Sequence, residues 1–140
     1  MTMPRFHLAF PVTDLEAARA FYTEVLGARV ARSADRWIDF DFWGHQLSAH
    51  LVDTIADSAT NPVDGEHVPA RHFGVILPPE QWRGLASRVA SSGATFLIEP
   101  QVRFEGKVGE QSTFFMRDPS GNALEFKAFA SDSQVFASDS

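Results

Sequence analysis

Cysteine is absent from the 140-residue chain. That excludes disulfides, thiolate metal sites and a cysteine nucleophile. Basic residues are scarce beside acidic ones, with 12 Lys and Arg against 18 Asp and Glu and a net charge of −6. Such a chain lacks the clustered basic surface that phosphate backbones require, so no nucleic-acid partner is expected. Long apolar runs are missing too. No stretch reaches the ~20 residues that cross a bilayer, and the start Met1–His7 has no run of signal-peptide length. The expected setting is therefore cytoplasmic, with no membrane partner.

What the chain does have is phenylalanine, at 13 copies, which predicts a core rich in aromatic rings. Its length suffices for one domain with a real core. The pattern of elements occurs twice. A strand over Phe6–Val12 leads into a helix opened by Thr13 and Glu16 at capping-box spacing. Apolar residues recur at Leu15, Ala18, Phe21, Tyr22, Val25 and Leu26, and Gly27 ends the helix. Strands follow near Arg29–Arg32, Arg36–Trp43 and His45–Val52. The order restarts with a strand at Arg71–Leu77, a helix from Pro78 to Gly93, and strands near Thr95–Ile98, Gln111–Arg117 and Asn122–Phe129. His7 and His72 stand 65 residues apart, and Gly27 and Gly93 stand 66 apart. A nearly constant offset of this kind is the mark of a duplicated module.

One structural domain in four parts is expected: a first βαβββ module at 1–52, a linker at 53–70, a second module at 71–129, and a Ser- and Asp-rich disordered tail at 130–140. The fold class is α+β.

Side chains alternate across a strand, so each strand divides into two faces. Phe6, Leu8 and Phe10 oppose Arg5, His7 and Ala9. Leu47, Ala49 and Leu51 oppose Gln46, Ser48 and His50. Phe73, Val75 and Leu77 oppose His72, Gly74 and Ile76. Leu124, Phe126 and Ala128 oppose Ala123, Glu125 and Lys127. Each strand thus has one apolar face and one face with a single metal-ligating side chain. Beside each of these four residues stands a small one, Ala9, Ser48, Gly74 or Ala123, which leaves room for a substrate. A lone strand histidine is ordinarily a hydrogen-bonded surface or core residue. Two histidines and a carboxylate together are what Fe, Mn, Zn, Co or Ni accept when thiolates are missing.

At these residues the sequence resembles the vicinal oxygen chelate superfamily, which includes glyoxalase I, extradiol ring-cleaving dioxygenases, and fosfomycin and bleomycin resistance proteins. The resemblance covers about residues 5–129. It rests on Phe6-His7-Leu8-Ala9-Phe10, on Ala20-Phe21-Tyr22 and Val25-Leu26-Gly27, and on Arg71-His72-Phe73-Gly74-Val75. The closing run Phe115–Phe126, with Asp118-Pro119-Ser120-Gly121-Asn122 inside it, completes it. The resemblance implies paired modules forming a curved, U-shaped mixed sheet with helices outside. It implies a divalent metal on His7, His72 and Glu125, with His50 at the remaining fourth-strand place.

Glyoxalase-type relatives carry Glu or Gln at that last place, so His50 departs from them. Extradiol cleavage requires three open metal positions, two for catecholate oxygens and one for O₂. His50 is then expected to act as an acid/base and not as a ligand. The leading expectation is an extradiol-type dioxygenase with Fe2+ or Mn2+. A glyoxalase- or epimerase-like lyase or isomerase with Zn2+, Ni2+ or Co2+ is the runner-up, followed by a metal-free drug-binding protein of the bleomycin-resistance kind. Arg5, Lys127 and Phe115 are expected to touch a small-molecule substrate, and the resemblance implies a homodimer whose pocket lies in one chain or is shared between two. The segment Glu99–Glu110, with Arg103 in it, reads as a mobile lid or a surface loop.

Overall fold

The computed structural model describes residues 3–56 and 59–138. Met1 and Thr2, Asp57 and Ser58 of the expected linker, and Asp139 and Ser140 of the expected tail lie outside it. The architecture is α+β, and the chain divides into two compact units.

The first unit contains β1 (His7–Val12), α1 (Leu15–Ala20), β2 (Arg29–Ala34), β3 (Trp37–Phe42) and β4 (His45–Leu51), together with the loop Asp118–Asn122. Its sheet runs β1-β4-β3-β2, with β1 parallel to β4 and the other pairs antiparallel. The helix is capped by Asp14, whose carboxylate accepts from the Ala17 N–H at 3.0 Å. Thr13 was the expected cap, but the helix begins one residue later and the Thr13 hydroxyl lies against Ser120. After Ala20 the helix widens into a π turn over Phe21–Val25, and Gly27 closes it at a φ of 82°. The wider turn buries Phe21 and Tyr22 side by side. Tyr22 packs among Phe10, Phe21, Phe40 and Phe42, so the expected aromatic core is present here.

The Tyr22 hydroxyl donates to Asp118 at 2.8 Å. Burial, and then the Asp118 charge, push the phenol well above its ordinary pKa, so it remains a donor. Asp118 also accepts from the Ser120 and Asn122 N–H groups and from the Asn122 amide, which itself donates to the Pro11 carbonyl. The Asp-Pro-Ser-Gly-Asn turn is thus a polar plug whose carboxylate serves four donors.

The second unit contains a hairpin, β5 (Thr60–Val63) and β6 (Glu66–Pro69), then α2 (Pro79–Ser91), β7 (Phe96–Arg103), β8 (Gln111–Arg117) and β9 (Ala123–Ala128). Its antiparallel sheet runs β7-β8-β9. Trp82, Leu85 and Val89 of α2 are buried, Trp82 and Phe96 pack on Phe114, and the Trp82 indole N–H reaches the Phe126 carbonyl at 2.8 Å. Arg71–Leu77, the expected first strand, pairs with β9 at only two parallel bridges, Phe73 with Leu124 and Ile76 with Lys127.

Three expectations change. Part of the expected linker is the β5–β6 hairpin, whose Val68 is buried against Ile98 and Phe115. β7 runs on to Arg103, so only the turn after it remains of the expected lid or loop. The tail forms a short 3-10 turn at Asp132–Gln134 where disorder was expected.

Replacing Asp118 with Ala strands four buried or half-buried donors. We expect a loss of about 3–5 kcal/mol. Tyr22→Phe leaves Asp118 its other donors and should cost about 1 kcal/mol. Urea denaturation of both variants checks the ratio, and equal losses would contradict the plug.

Candidate metal centre

β8 and β9 set the geometry. Their register pairs Phe115 with Glu125 and Thr113 with Lys127, so these four side chains share the sheet face away from α2. Glu125 is buried, at 6% exposure. Its Oε2 accepts from the Thr113 hydroxyl and lies 3.5 Å from Arg103 Nη1. Its Oε1 faces His72 Nε2 at 3.1 Å.

The other ring nitrogen of His72, Nδ1, lies 2.7 Å from the Pro69 carbonyl. A carbonyl only accepts, so Nδ1 carries hydrogen. In a neutral ring Nε2 then presents a lone pair directly to a carboxylate oxygen. Two acceptors at 3.1 Å require a cation between or on them, either a proton on Nε2 or a metal ion. The spacing suits a metal. Two ligand atoms each ~2.1 Å from one ion and at right angles lie about 3 Å apart. The Pro69 carbonyl is the kind of outer partner that orients a ligating histidine. The residues therefore fit a divalent ion held by Nε2 and Oε1, with Oε2 already committed to Thr113 and Arg103.

The electrostatics agree. The hydrogen bond to Glu125 raises the His72 pKa above its ordinary 6.5 although burial opposes it; the Pro69 carbonyl assists and Lys127 opposes. Burial pushes the Glu125 carboxyl up, but the bonds from His72 and Thr113 and the Lys127 charge outweigh it, so it lies below the ordinary 4.5.

Gly74 makes this approach possible. A Cβ there would lie 1.6 Å from the Glu125 carbonyl oxygen, so the chain after His72 passes directly against the Glu125 backbone.

In the first unit, β1 and β4 pair His7 with Gln46, Ala9 with Ser48, and Pro11 with His50. In the second unit, the Glu125 N–H donates to Phe73, one residue after His72, and the Phe73–Leu124 bridge sets Glu125 level with Gly74. The counterpart of Glu125 is therefore Ser48, level with Ala9. The family's fourth-strand place, assigned to His50 from parity, belongs to Ser48. His50 shares the face but stands four residues along from the level of His7, about 13 Å. The two do not share an ion.

Ser48 is buried and donates to Asp39 at 2.6 Å. Asp39 is itself buried, on β3 directly across from Ser48. Its burial is not legible from sequence, because alternating Asp39 and Asp41 on a strand ordinarily mark a solvated face.

His7 and Arg5 are exposed, Lys127 is half-buried, and the buried Phe115 ring meets the His72 ring at 5.0 Å. His45 instead accepts from the Phe6 N–H. Arg103, placed by sequence in a lid or loop, is a buried partner of Glu125. Among the described residues, no three His, Asp or Glu side chains converge, and the His72–Glu125 pair brings two together.

The model of the Glyoxalase/Bleomycin resistance protein/Dioxygenase superfamily matches residues 6–126. A crystal structure of a glyoxalase/bleomycin resistance protein/dioxygenase from Alicyclobacillus acidocaldarius is 36% identical. It covers 95% of this chain and 96% of its own, at a TM-score of 0.82. Two more distant structures share the fold. The fosfomycin resistance protein FosX from Listeria monocytogenes is 15% identical, with 97% and 100% of the chains covered and a TM-score of 0.72. A lactoylglutathione lyase from Agrobacterium tumefaciens is 18% identical, with 98% of each chain covered and a TM-score of 0.68. No curated protein matches the chain.

Two outcomes follow for metal-free protein. His72, with its raised pKa, stabilises the fold below 6.5 and loses that contribution as pH rises through the folded value. Glu125, with its lowered pKa, contributes above 4.5 and loses it as pH falls. Urea midpoints should therefore be higher at pH 5.5 than at pH 8.5, and His72→Gln should shrink that difference. A gap unchanged by the substitution would contradict the pairing. Gly74→Ala should cost about 1–3 kcal/mol by overpacking, and should also weaken metal binding, measured by calorimetric titration.

Proposed function

The chain belongs to the Glyoxalase/Bleomycin resistance protein/Dioxygenase superfamily, and on that premise we propose that it is a divalent-metal enzyme of the extradiol ring-cleaving dioxygenase type. The ligands are His72 and Glu125, with His7 as the third. The observation that carries the reading is the His72 ring itself. Its Nδ1 is committed to Pro69, and its Nε2 faces a carboxylate oxygen at 3.1 Å.

When bound, Fe2+ or Mn2+ supplies a Lewis acid with room for two vicinal oxygens of a small substrate and one further small molecule. The protein residues do the rest. Pro69 fixes the His72 tautomer. Thr113 and Arg103 hold Oε2, so Glu125 offers Oε1 alone. Phe115 walls the His72 side, and Lys127 adds positive charge on the same face. Arg5, the remaining substrate-contact expectation, lies two residues before His7.

The dioxygenase reading is supported by Ser48. It stands in the place of Glu125 in the first unit, and its hydroxyl hydrogen is given to Asp39. No carboxylate or amide occupies that place, so three protein ligands are expected. His50, on the same face about 7 Å beyond Ser48, is proposed as an acid/base.

A second reading, a lyase or isomerase with Zn2+, Ni2+ or Co2+, is favoured by Asp39. Its buried carboxylate on the Ser48 hydroxyl is a ready proton acceptor. The proposal further includes a homodimer.

Protein reconstituted with Fe2+ or Mn2+ should hold about one ion per chain, and His72→Ala or Glu125→Ala should lose most of it. His50→Ala should retain the ion and lower turnover by about 10²–10⁴-fold. Oxygen uptake with a panel of catechols reads the reaction. A wild type that binds metal but consumes no oxygen with any catechol moves the assignment to the lyase or isomerase reading. A wild type that binds no metal rejects both.

A further inference from the structure

Arg103 is the residue that the metal reading does not exhaust. Its side chain is 5% exposed. It comes from the end of β7, level with Gln111 of β8, and its guanidinium lies 5.7 Å from the Phe115 ring centre. One nitrogen, Nη1, reaches Glu125 Oε2 at 3.5 Å. The other two, Nε and Nη2, are buried and have no hydrogen-bond partner among the described residues.

Those two nitrogens are not an arbitrary pair. Nε–H and one Nη2–H run parallel along one edge of the guanidinium and form a fork matching the two oxygens of a carboxylate. A buried donor left unmade is costly, and more so when it is charged. Two such donors on one cation offer a buried edge to a group with two acceptor oxygens. Gln111, across the strands from Arg103, also has a buried Oε1 without a partner, while its amide nitrogen is spent on Gly109. Two orphaned groups thus sit on one pair of facing residues.

Arg103 and Lys127 project from the face that carries Glu125. Glu66, on the hairpin, is engaged by Gln101 at 3.5 Å. The hairpin meets Gln101 of β7 and Phe104, the residue after the strand, on either side of Arg103. Val68 and Pro69 of the hairpin are buried, Val68 against Ile98 and Phe115.

We propose that the Nε/Nη2 edge of Arg103 is a carboxylate-binding subsite, so that the substrate is an anionic small molecule with a carboxylate beside its vicinal oxygens. The proposal rests on the metal reading above for those oxygens, but the carboxylate fork stands on Arg103 alone.

The test has two arms. In the first, Co2+-loaded protein is titrated with catechol and with 2,3- and 3,4-dihydroxybenzoate, read by the cobalt absorption spectrum. At least one dihydroxybenzoate should bind about tenfold or more tighter than catechol. Arg103→Lys, which keeps the charge but loses the fork, should cut that ratio several-fold. Arg103→Met, loaded with Co2+ to the wild-type metal content, should bring the ratio near one. In the second arm, metal-free protein is titrated with benzoate. The Arg103 Nε–H resonance, identified by its loss in Arg103→Lys, should shift saturably.

Catechol that leaves the cobalt spectrum unchanged would count against the metal reading, and the benzoate arm would still decide the subsite. A wild-type ratio near one, or a ratio unaltered in Arg103→Met, together with a static Nε–H signal, overturns the proposal.

Discussion

A carboxylate taken out of water sets the layout of the second unit. Glu125 is almost wholly enclosed, and an enclosed charge left unpaired costs several kcal/mol. Three separate segments answer it. Thr113 from β8 and Arg103 from the end of β7 cover one oxygen, and His72 covers the other. None of these contacts is local in sequence, so each ties the sheet's register to the site. His72 in turn requires Pro69 for its orientation, which makes the β5–β6 hairpin part of the site's support. Gly74 requires no partner, but it must lack a side chain for Glu125 to come so close.

The first unit solves the same place differently. Ser48 stands where Glu125 stands in its own unit, and it is bonded to Asp39. The charge there is displaced by one strand onto β3. The two units therefore share an order of elements but not an electrostatic design. One presents a carboxylate beside a histidine, and the other a hydroxyl backed by a carboxylate. This difference bears on mechanism, since a site with a single ligating carboxylate leaves more of a metal's coordination to substrate.

Much of this was legible from the chain alone. Period-two alternation put Glu125 and Lys127 on one face of their strand, and the register agrees. Capping residues, apolar periodicity and the closing glycines located both helices. Other features were not legible, for physical reasons. Alternation gives the face of a strand but not its step, so the fourth-strand place fell to His50 when pairing gives it to Ser48. The β5–β6 hairpin carries Asn61, Pro62, Asp64 and Gly65, residues that ordinarily mark loops, and its single buried valine gives no periodicity. Arg103 lies beyond a register shift in β7, so its parity cannot be counted from Ile98. A buried arginine also gives no hydrophobic signal. Asp14 displaced Thr13 as helix cap because the helix begins at Leu15, which puts the Asp14 carboxylate on the Ala17 N–H, while the Thr13 hydroxyl lies against Ser120, 107 residues away.

The central claim is that Nε2 of His72 and Oε1 of Glu125 converge on a metal ion and not merely on a proton. X-ray absorption at the metal edge of Fe2+- or Co2+-loaded protein tests it most directly. The account predicts a nitrogen and oxygen shell near about 2.1 Å with the multiple scattering of two imidazoles, reduced to one in His72→Ala. A wild-type spectrum without imidazole scattering, or one that His72→Ala leaves unaltered, would contradict it.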